Sequence, residues 1–587
     1  MADAPATSSG HVVEPKESPM IFEELKSIQR QHGYLPAEQL VKLSKKIETP
    51  LSQIHGLASF YPHFRLTPPA RTEVRVCADM ACHLRGAGAL RAGLEQSLAG
   101  TSHKDLSISD VSCLGRCDEA PAISINDQIY SRLSGSLAEA LVRGALYDNQ
   151  LPPSLWEHHP VRCASDPYTG GEKYGAMKRL VETRDWDGVL ALLKASQLRG
   201  LGGAGAPTEM KWSATRKAFG REKYIICNAD ESEPGTFKDR FIMTQLPHLV
   251  IEGMIIAGMV TDARHGIVYI RHEYPEQEKI MREEIHRCEE AGMLGARILG
   301  SDLSFQISIF VSPGGYICGE ETALLEALEG KRAEPRNKPP FPAQQGLRNM
   351  PTVVNNVETF VHVPQILMRG LDEYKAQGVG GAAGLKFIGV SGDVQKPGVY
   401  EIPMGTPVSE LLRSAGGVRD GKRLKAFAPS GPSGGFLPAS MADVRLDFNS
   451  MAAAGSMLGS GAMVVCAEGT CMLDMTLNAV QFYRNESCGK CVPCRVGSQR
   501  MVDLLTTWAR GGASASQFEA DLQLVEQLSQ TLRLTSICGL GQILPAPVAS
   551  VLKHFGQEVE NHITRRECPS GVCFSGAAAR AGGARPA

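Results

Sequence analysis

Eight of the sixteen cysteines in this 587-residue chain fall into two groups whose spacing suits metal or cluster binding. The first is Cys77-x4-Cys82 with Cys113-x3-Cys117; the second is Cys488-x2-Cys491-x2-Cys494 with Cys538. Thiolates set this close repel one another and need a cation or cluster between them, and each cluster iron takes soft sulfur ligands. The tight Cys488–Cys494 run, with Cys538 from a separate Ser-Ile-Cys-Gly segment, fits a [4Fe–4S] cluster; zinc sites more often come as two C-x2-C knuckles. The Cys77/Cys82/Cys113/Cys117 set fits a [2Fe–2S] cluster, and spacing alone does not separate that from a zinc knuckle. Two spacings imply two different clusters, and so electrons moved one at a time.

Other segments carry polar groups in suggestive runs. Arg199-Gly-Leu-Gly-Gly-Ala-Gly205 is a glycine-rich loop followed by Lys211, a pattern that lets backbone approach a phosphate. Sixty-one glycines in the chain make that a weak signal alone, and a plain tight turn fits equally. Asn228-Ala-Asp-Glu-Ser-Glu-Pro-Gly235 follows an apolar strand; its three carboxylates would repel phosphate and suit hydroxyls, amides or a ring edge. Tyr316-Ile-Cys-Gly-Glu-Glu-Thr322, Lys338-Pro-Pro-Phe-Pro342 and Asn355-Asn356-Val-Glu-Thr359 are mild signals taken singly.

The elements that must hold these residues can be read coarsely. Residues 19–66 read as helices, with apolar positions near helical spacing. A strand at 73–77, a helix at 87–98, a strand at 106–110 and a hairpin around Asn126-Asp127 make a small αβ domain, closing a unit over 19–145. Residues 146–165, with three prolines, read as a linker. Strands and helices alternate over 166–380, giving α/β layers. Residues 381–445 read as a β-grasp fold and 446–560 as mainly helical. A tail at 561–575 precedes an Ala/Gly/Arg-rich end, 576–587, that reads as disordered. The fold class is thus multidomain α/β.

Composition narrows the setting. A net charge of −2 gives no reason to expect a nucleic-acid partner. The first eighteen residues lack a basic start and apolar run, and the longest apolar stretch, 249–260, is too short to span a bilayer. Direct membrane insertion is not expected, and a cytoplasmic setting suits thiols kept for metals.

Together, in order and wording, the segments over about 170–555 resemble the NADH-oxidising flavin subunit of respiratory complex I. Residues 19–145 resemble that complex's thioredoxin-like [2Fe–2S] subunit. Such fusion is shared with diaphorase subunits of NAD-reducing hydrogenases and NAD-dependent formate dehydrogenases. The resemblance implies a thioredoxin-like [2Fe–2S] domain, a Rossmann-like FMN/NAD domain and a C-terminal helical bundle with a [4Fe–4S] cluster. It implies that Gly200, Gly202, Lys211, Asn228, Asp230, Glu231, Gly319, Asn355, Asn356 and Thr359 hold FMN. Glu233 and Glu321 would face the nicotinamide, and Lys338 and Phe341 the rest of NAD(H). The expected activity is hydride exchange between NAD(H) and FMN, with single electrons passed through the clusters to an iron–sulfur electron-transfer subunit and a catalytic subunit of formate dehydrogenase or hydrogenase type.

The chain departs from that family where two phenylalanines commonly sandwich adenine, having Ala206 and Ala214 instead. Loss of such stacking is worth about 1–3 kcal/mol by analogy with base stacking. This motivates a second reading, a flavin and iron–sulfur electron-transfer scaffold with lost or altered dinucleotide binding. The tail His562-x5-Cys568-Pro-Ser-Gly-Val-Cys573 resembles that of the flavin subunits of electron-bifurcating hydrogenases, which also carry a cysteine at the position of Cys471. One histidine and three cysteines make a tetrahedral zinc set. Cys163, Cys227, Cys288, Cys318 and Cys466 read as packed thiols.

Overall fold

Three sheets carry the loops of interest, and each presents them at strand ends. The computed structural model describes residues 21–154, 159–168 and 170–574. Of these, residues 21–69 form one compact unit and those from Ala70 onward a second. In the first, helices Ile21–His32, Ala37–Lys46 and Leu51–Phe60 bury Phe22, Leu25, Leu40, Leu43, Ile54 and Leu57 at helical spacing.

The second unit begins with a four-stranded sheet: β1 (Thr72–Cys77), β2 (Leu106–Val111), β3 (Ile123–Ile125) and β4 (Gln128–Tyr130), in the order β2-β1-β3-β4. Strands β1 and β2 pair in parallel, and β3 and β4 form the expected hairpin. Asn126 and Asp127 both adopt left-handed backbone angles (φ 49° and 67°), the requirement of a two-residue type I′ turn. The parallel pairing sends the ends of β1 and β2 the same way, so Cys77 and Cys113 emerge side by side.

The next sheet is wholly parallel. Strands β5 (Tyr224–Ala229), β6 (His265–Arg271), β7 (Gln306–Ser312) and β8 (Thr352–Asn356) lie in the order β7-β6-β5-β8. Helix Pro247–Thr261 packs on it and on helix Val357–Arg369, apolar and buried along nearly its whole length. The chain runs outward from β5 through β6 to β7, then returns to place β8 on the other side of β5. The topological switch point therefore lies between β5 and β8, where open α/β sheets bind their ligands.

The third sheet is mixed, with β9 (Leu385–Gly392), β10 (Gly398–Pro403), β11 (Leu424–Pro432), β12 (Leu437–Pro438) and β13 (Ala462–Ala467) in the order β10-β9-β13-β11-β12. Its central strand β13 comes from beyond residue 445, in a stretch that sequence periodicity reads as mainly helical. Helices Met472–Glu486, Val492–Ala509, Ala515–Thr535 and Ala546–Thr564 follow. The proline-bearing segment before residue 165 is fixed at its far end: Glu401 of β10 accepts the amides of Ala164 and Ser165 at 2.5 and 2.7 Å. The end expected to be disordered lies outside the described residues. Among the described residues no single helix is long and apolar enough to cross a membrane.

Candidate functional site: a strand-end cleft between two cysteine cages

The polar loops of the sequence converge at the switch point. Asn228 at the end of β5 donates from Nδ2 to the Gly319 carbonyl at 2.8 Å. Lys211 donates to the Val354 carbonyl of β8 at 2.7 Å and to Glu321 at 3.1 Å. Thr359 accepts the Leu201 amide at 2.9 Å, pinning the glycine-rich loop over β8. That loop sits so close that a Cβ on Gly202 would lie 2.7 Å from Asn356 Cβ, which is why glycine is needed there. Asn355 accepts from Trp212 Nε1 at 3.4 Å.

Behind the cleft lies a buried ion chain. Lys238 contacts Asp239 at 2.7 Å and Glu358 at 3.0 Å, and Lys386 of β9 contacts the same Glu358 oxygen at 2.6 Å. The side chains of Lys238, Glu358 and Lys386 are fully buried. Asn356 is the link to the cleft: it accepts from Lys238 at 3.1 Å and donates to Asp239 at 2.6 Å. Burial pulls the Lys386 ammonium down to about 8, only partly offset by Glu358. Burial works against Glu358 ionising, but Lys238 and then Lys386 more than compensate and hold its carboxyl below the usual range.

Three of the four acids expected near the nicotinamide and flavin have different surroundings. Glu233 accepts from the amide and hydroxyl of Ser433 and from the Tyr316 hydroxyl at 3.4 Å. Burial nevertheless pushes its carboxyl up to about 7. Burial also opposes ionisation of Glu321, but Lys211 and Lys338 hold it at about 2. Lys338 itself lies 2.9 Å from Glu320 and 2.8 Å from Glu321. Glu231 turns inward: its carboxylate accepts the Asp239 and Arg240 amides at 2.8 and 3.1 Å and the Tyr274 hydroxyl at 3.0 Å. It caps helix Lys238–Gln245, an employment that the resemblance did not suggest. Phe341 is half exposed at 52%.

Both cysteine groups close into cages. Cys113 and Cys117 Sγ lie 3.3 Å apart in the loop after β2, and Cys77 meets Cys82 and Cys113 from the end of β1. Cys488, Cys491, Cys494 and Cys538 line one cavity, otherwise walled by Ile317, Pro335, Ser487, Lys490, Ile537 and Leu540. Burial pushes the thiols of Cys538 and Cys494 up to about 12 and 11. The protein alone thus disfavours thiolates there, and a cluster supplies the positive charge that would hold them.

The chain matches the Nuo51 FMN-binding domain over residues 193–365, the thioredoxin-like [2Fe-2S] ferredoxin over 11–145, the NADH-ubiquinone oxidoreductase-F iron-sulfur binding region over 474–562 and the SLBB domain over 387–437. It is 45% identical to the F 2 subunit of the NADH-quinone oxidoreductase of Rhizobium meliloti (strain 1021), over 68% of this chain and 95% of that one. It belongs to the family of NADH-quinone oxidoreductase F subunits. A second relative, NADP-reducing hydrogenase subunit HndC of Solidesulfovibrio fructosivorans, is 42% identical over 66% of this chain and 78% of its own. A chain of the NAD+-reducing [NiFe]-hydrogenase in the air-oxidized state superposes with a TM-score of 0.81 at 32% identity, covering 92% of this chain and 93% of that one.

This F-type subunit is therefore an NADH dehydrogenase-type flavin iron–sulfur oxidoreductase, with FMN, [2Fe–2S] and [4Fe–4S] binding regions in one chain. The cleft fits FMN on its own terms. Asp230 Oδ2 is buried without a hydrogen-bond partner, an acceptor suited to a ribityl hydroxyl, and burial pushes that carboxyl up to about 6. Motif reading missed Ser433 and Glu320 as partners of the cleft's charged groups; Glu320 stands in a quoted motif, whereas Ser433 lies on a Gly/Pro turn after β11 with nothing local to mark it.

A third donor set lies in the C-terminal helical region. Ligand atoms of Cys471, His562, Cys568 and Cys573 all fall within 4.8 Å of one another. Cys471 and Cys573 Sγ are 3.9 Å apart, close to the ~3.8 Å that two thiolates span across a tetrahedral zinc. His562 is fully buried with neither ring nitrogen hydrogen-bonded. A buried imidazole without partners is costly, and a metal ligand role removes the cost.

Proposed function

We propose that this chain is the NAD(H)-reactive diaphorase subunit of a multisubunit oxidoreductase, working in the cytoplasm. The observation that carries the reading is the convergence of Asn228, Asp230, Lys211, Asn355, Asn356 and the Gly202 loop at the β5/β8 switch point, with a cysteine cage on either side. FMN held there would supply the change from two-electron hydride chemistry to single-electron transfer. The chain's own groups orient and neutralise. Gly200 and Gly202 admit backbone to the phosphate, Lys211 and Lys338 supply charge, and Asp230 takes a hydroxyl. Glu231, Gly319 and Thr359 hold the surrounding loops in place. Glu233 and Glu321 orient the nicotinamide, and Phe341 covers part of the dinucleotide. No side-chain nucleophile is required.

Cys77, Cys82, Cys113 and Cys117 hold the [2Fe–2S] cluster and Cys488, Cys491, Cys494 and Cys538 the [4Fe–4S] cluster. The latter is the outlet: Cys488, Cys491 and Cys538 are partly exposed, and the exposed apolar side chains of Val492, Val496 and Leu534 stand near them along the chain. An iron–sulfur subunit docks on this face and passes electrons to or from a catalytic subunit of hydrogenase or formate dehydrogenase type.

Glu233 makes the dinucleotide site pH-sensitive. The NAD+ nicotinamide is cationic, so it binds best to ionised Glu233, whose carboxyl stands at about 7. Affinity for NAD+ is expected to tighten as pH rises, by up to about tenfold per unit below 7, and to level off above. Glu233→Gln flattens this profile. A Glu233→Gln variant whose NAD+ dissociation constant tracks pH as the wild type does removes Glu233 from the site.

Cys471, His562, Cys568 and Cys573 hold a structural zinc that ties the tail to helix Met472–Glu486, for which Cys471 is the N-cap. Cys568→Ser is expected to lower zinc from about one ion per chain to near zero. Unchanged zinc content in elemental analysis refutes the assignment.

A further inference from the structure

The loop from Cys113 to Cys117 is held as much by the flavin domain as by its own. Arg271, at the end of β6 and 2% exposed, donates from Nη2 to the Cys113 carbonyl at 2.7 Å and from Nη1 to the Glu231 carbonyl, while Glu273 fixes its Nε at 2.9 Å. The guanidinium also lies 5.1 Å over the Tyr274 ring. Gly235, two residues after Glu233, donates its amide to Cys117 Sγ at 3.2 Å. Phe237, fully buried, packs against Cys113 and Cys117. Arg240 donates to the Gly115 carbonyl at 2.6 Å and pairs with Asp118 at 2.6 Å. The fit is close: a Cβ on Gly115 would lie 2.6 Å from the Tyr274 ring.

We propose that Arg271 and the Gly235 amide are tuning groups supplied by the flavin domain to the [2Fe–2S] cluster of the small domain, and that they raise its reduction potential. Arg271 is a positioning residue in this role, acting through the Cys113 backbone. The inference rests on the assignment of Cys77, Cys82, Cys113 and Cys117 as the cluster's ligands. One-electron reduction makes the cluster more negative by one charge. A buried cation and an amide donor to a ligand sulfur stabilise that state more than the oxidised one, so both shift the couple upward. From the small domain, Asp79 accepts the Cys113 amide at 3.0 Å. Because Arg271 also grips the Glu231 carbonyl and Gly235 shares a turn with Glu233, one set of contacts serves the cluster and the dinucleotide cleft.

The test is a redox titration of the full chain, following the [2Fe–2S] and [4Fe–4S] electron paramagnetic resonance signals separately. Arg271→Gln is expected to lower the [2Fe–2S] midpoint and leave the [4Fe–4S] midpoint in place. Arg271→Lys, which keeps the charge but cannot bridge both carbonyls, is expected to lower it by less. Wild-type [2Fe–2S] midpoints in both variants, with clusters intact, overturn the proposal, as do equal shifts of both clusters. Should Arg271→Gln lose the cluster, Arg271→Lys decides alone: a lowered midpoint supports the proposal and an unmoved one overturns it. Absence of any [2Fe–2S] signal in the wild type is a different result, and overturns the ligand assignment beneath the proposal.

Discussion

Replacing Cys538 by serine is expected to lower bound iron from about six atoms per chain to about two, abolishing the [4Fe–4S] signal while the flavin stays reducible by NADH. Electron delivery to an acceptor protein then stops, although two-electron chemistry at the cleft continues. The reason is the make-up of the cavity. Cys538 closes it from a segment separate from the Cys488–Cys494 run, and the rest of the wall, Ile317, Pro335, Ser487, Lys490, Ile537 and Leu540, offers no substitute thiolate. Serine is a harder donor than cysteine and suits iron–sulfur clusters poorly. Burial already disfavours thiolates at Cys494 and Cys538, so an incomplete ligand set has little to hold it together. Iron content near six with an intact [4Fe–4S] signal in this variant removes Cys538 from the ligand set.

The second large effect is on stability. Glu358→Ala leaves Lys238 and Lys386 buried with no shared carboxylate between them. Removing one partner of a buried ion pair costs about 3–5 kcal/mol, because the other charge stays uncompensated. Lys238 also donates to Asn356 at 3.1 Å, so its rearrangement reaches the cleft and FMN retention should fall with stability. The same chain gives a pH dependence of definite sign. The Glu358 carboxyl is held below its ordinary value by Lys238 and Lys386. Its contribution is therefore fully present above the unfolded carboxyl pKa, ~4.5, and is lost as pH falls toward the depressed folded value. Denaturant titration of wild type and variant, followed through flavin fluorescence, measures both. A Glu358→Ala protein with unchanged midpoint and unchanged flavin content contradicts this description of the core.

What could be read in advance followed local chemistry. The Asn126-Asp127 turn announces its hairpin because two left-handed residues in sequence permit little else. The cysteine groups were legible because ligand spacing is a local property. Strand Ala462–Ala467 was not: as a central strand it is buried on both faces and shows no alternation, so it looks like any short apolar run. The ion chain escaped because Lys238, Glu358 and Lys386 are far apart in sequence and each resembles a surface residue. The inward contacts of Glu231 were hidden for a related reason. A carboxylate in a polar run looks available to a ligand, and only the fold shows it capping a helix and taking the Tyr274 hydroxyl. Arg271 closes a readable strand, but nothing in the sequence says that the Cys113 carbonyl lies 2.7 Å away.

The central claim is that hydride from a nicotinamide dinucleotide reaches a flavin held at the β5/β8 switch point. Anaerobic addition of NADH to the flavin-loaded full chain, followed in the flavin absorption band, tests it most directly. The expected result is bleaching of the flavin followed by appearance of reduced iron–sulfur signals. A flavin-replete chain that bleaches with neither NADH nor NADPH would contradict the claim and leave a scaffold that carries electrons without reacting with dinucleotides.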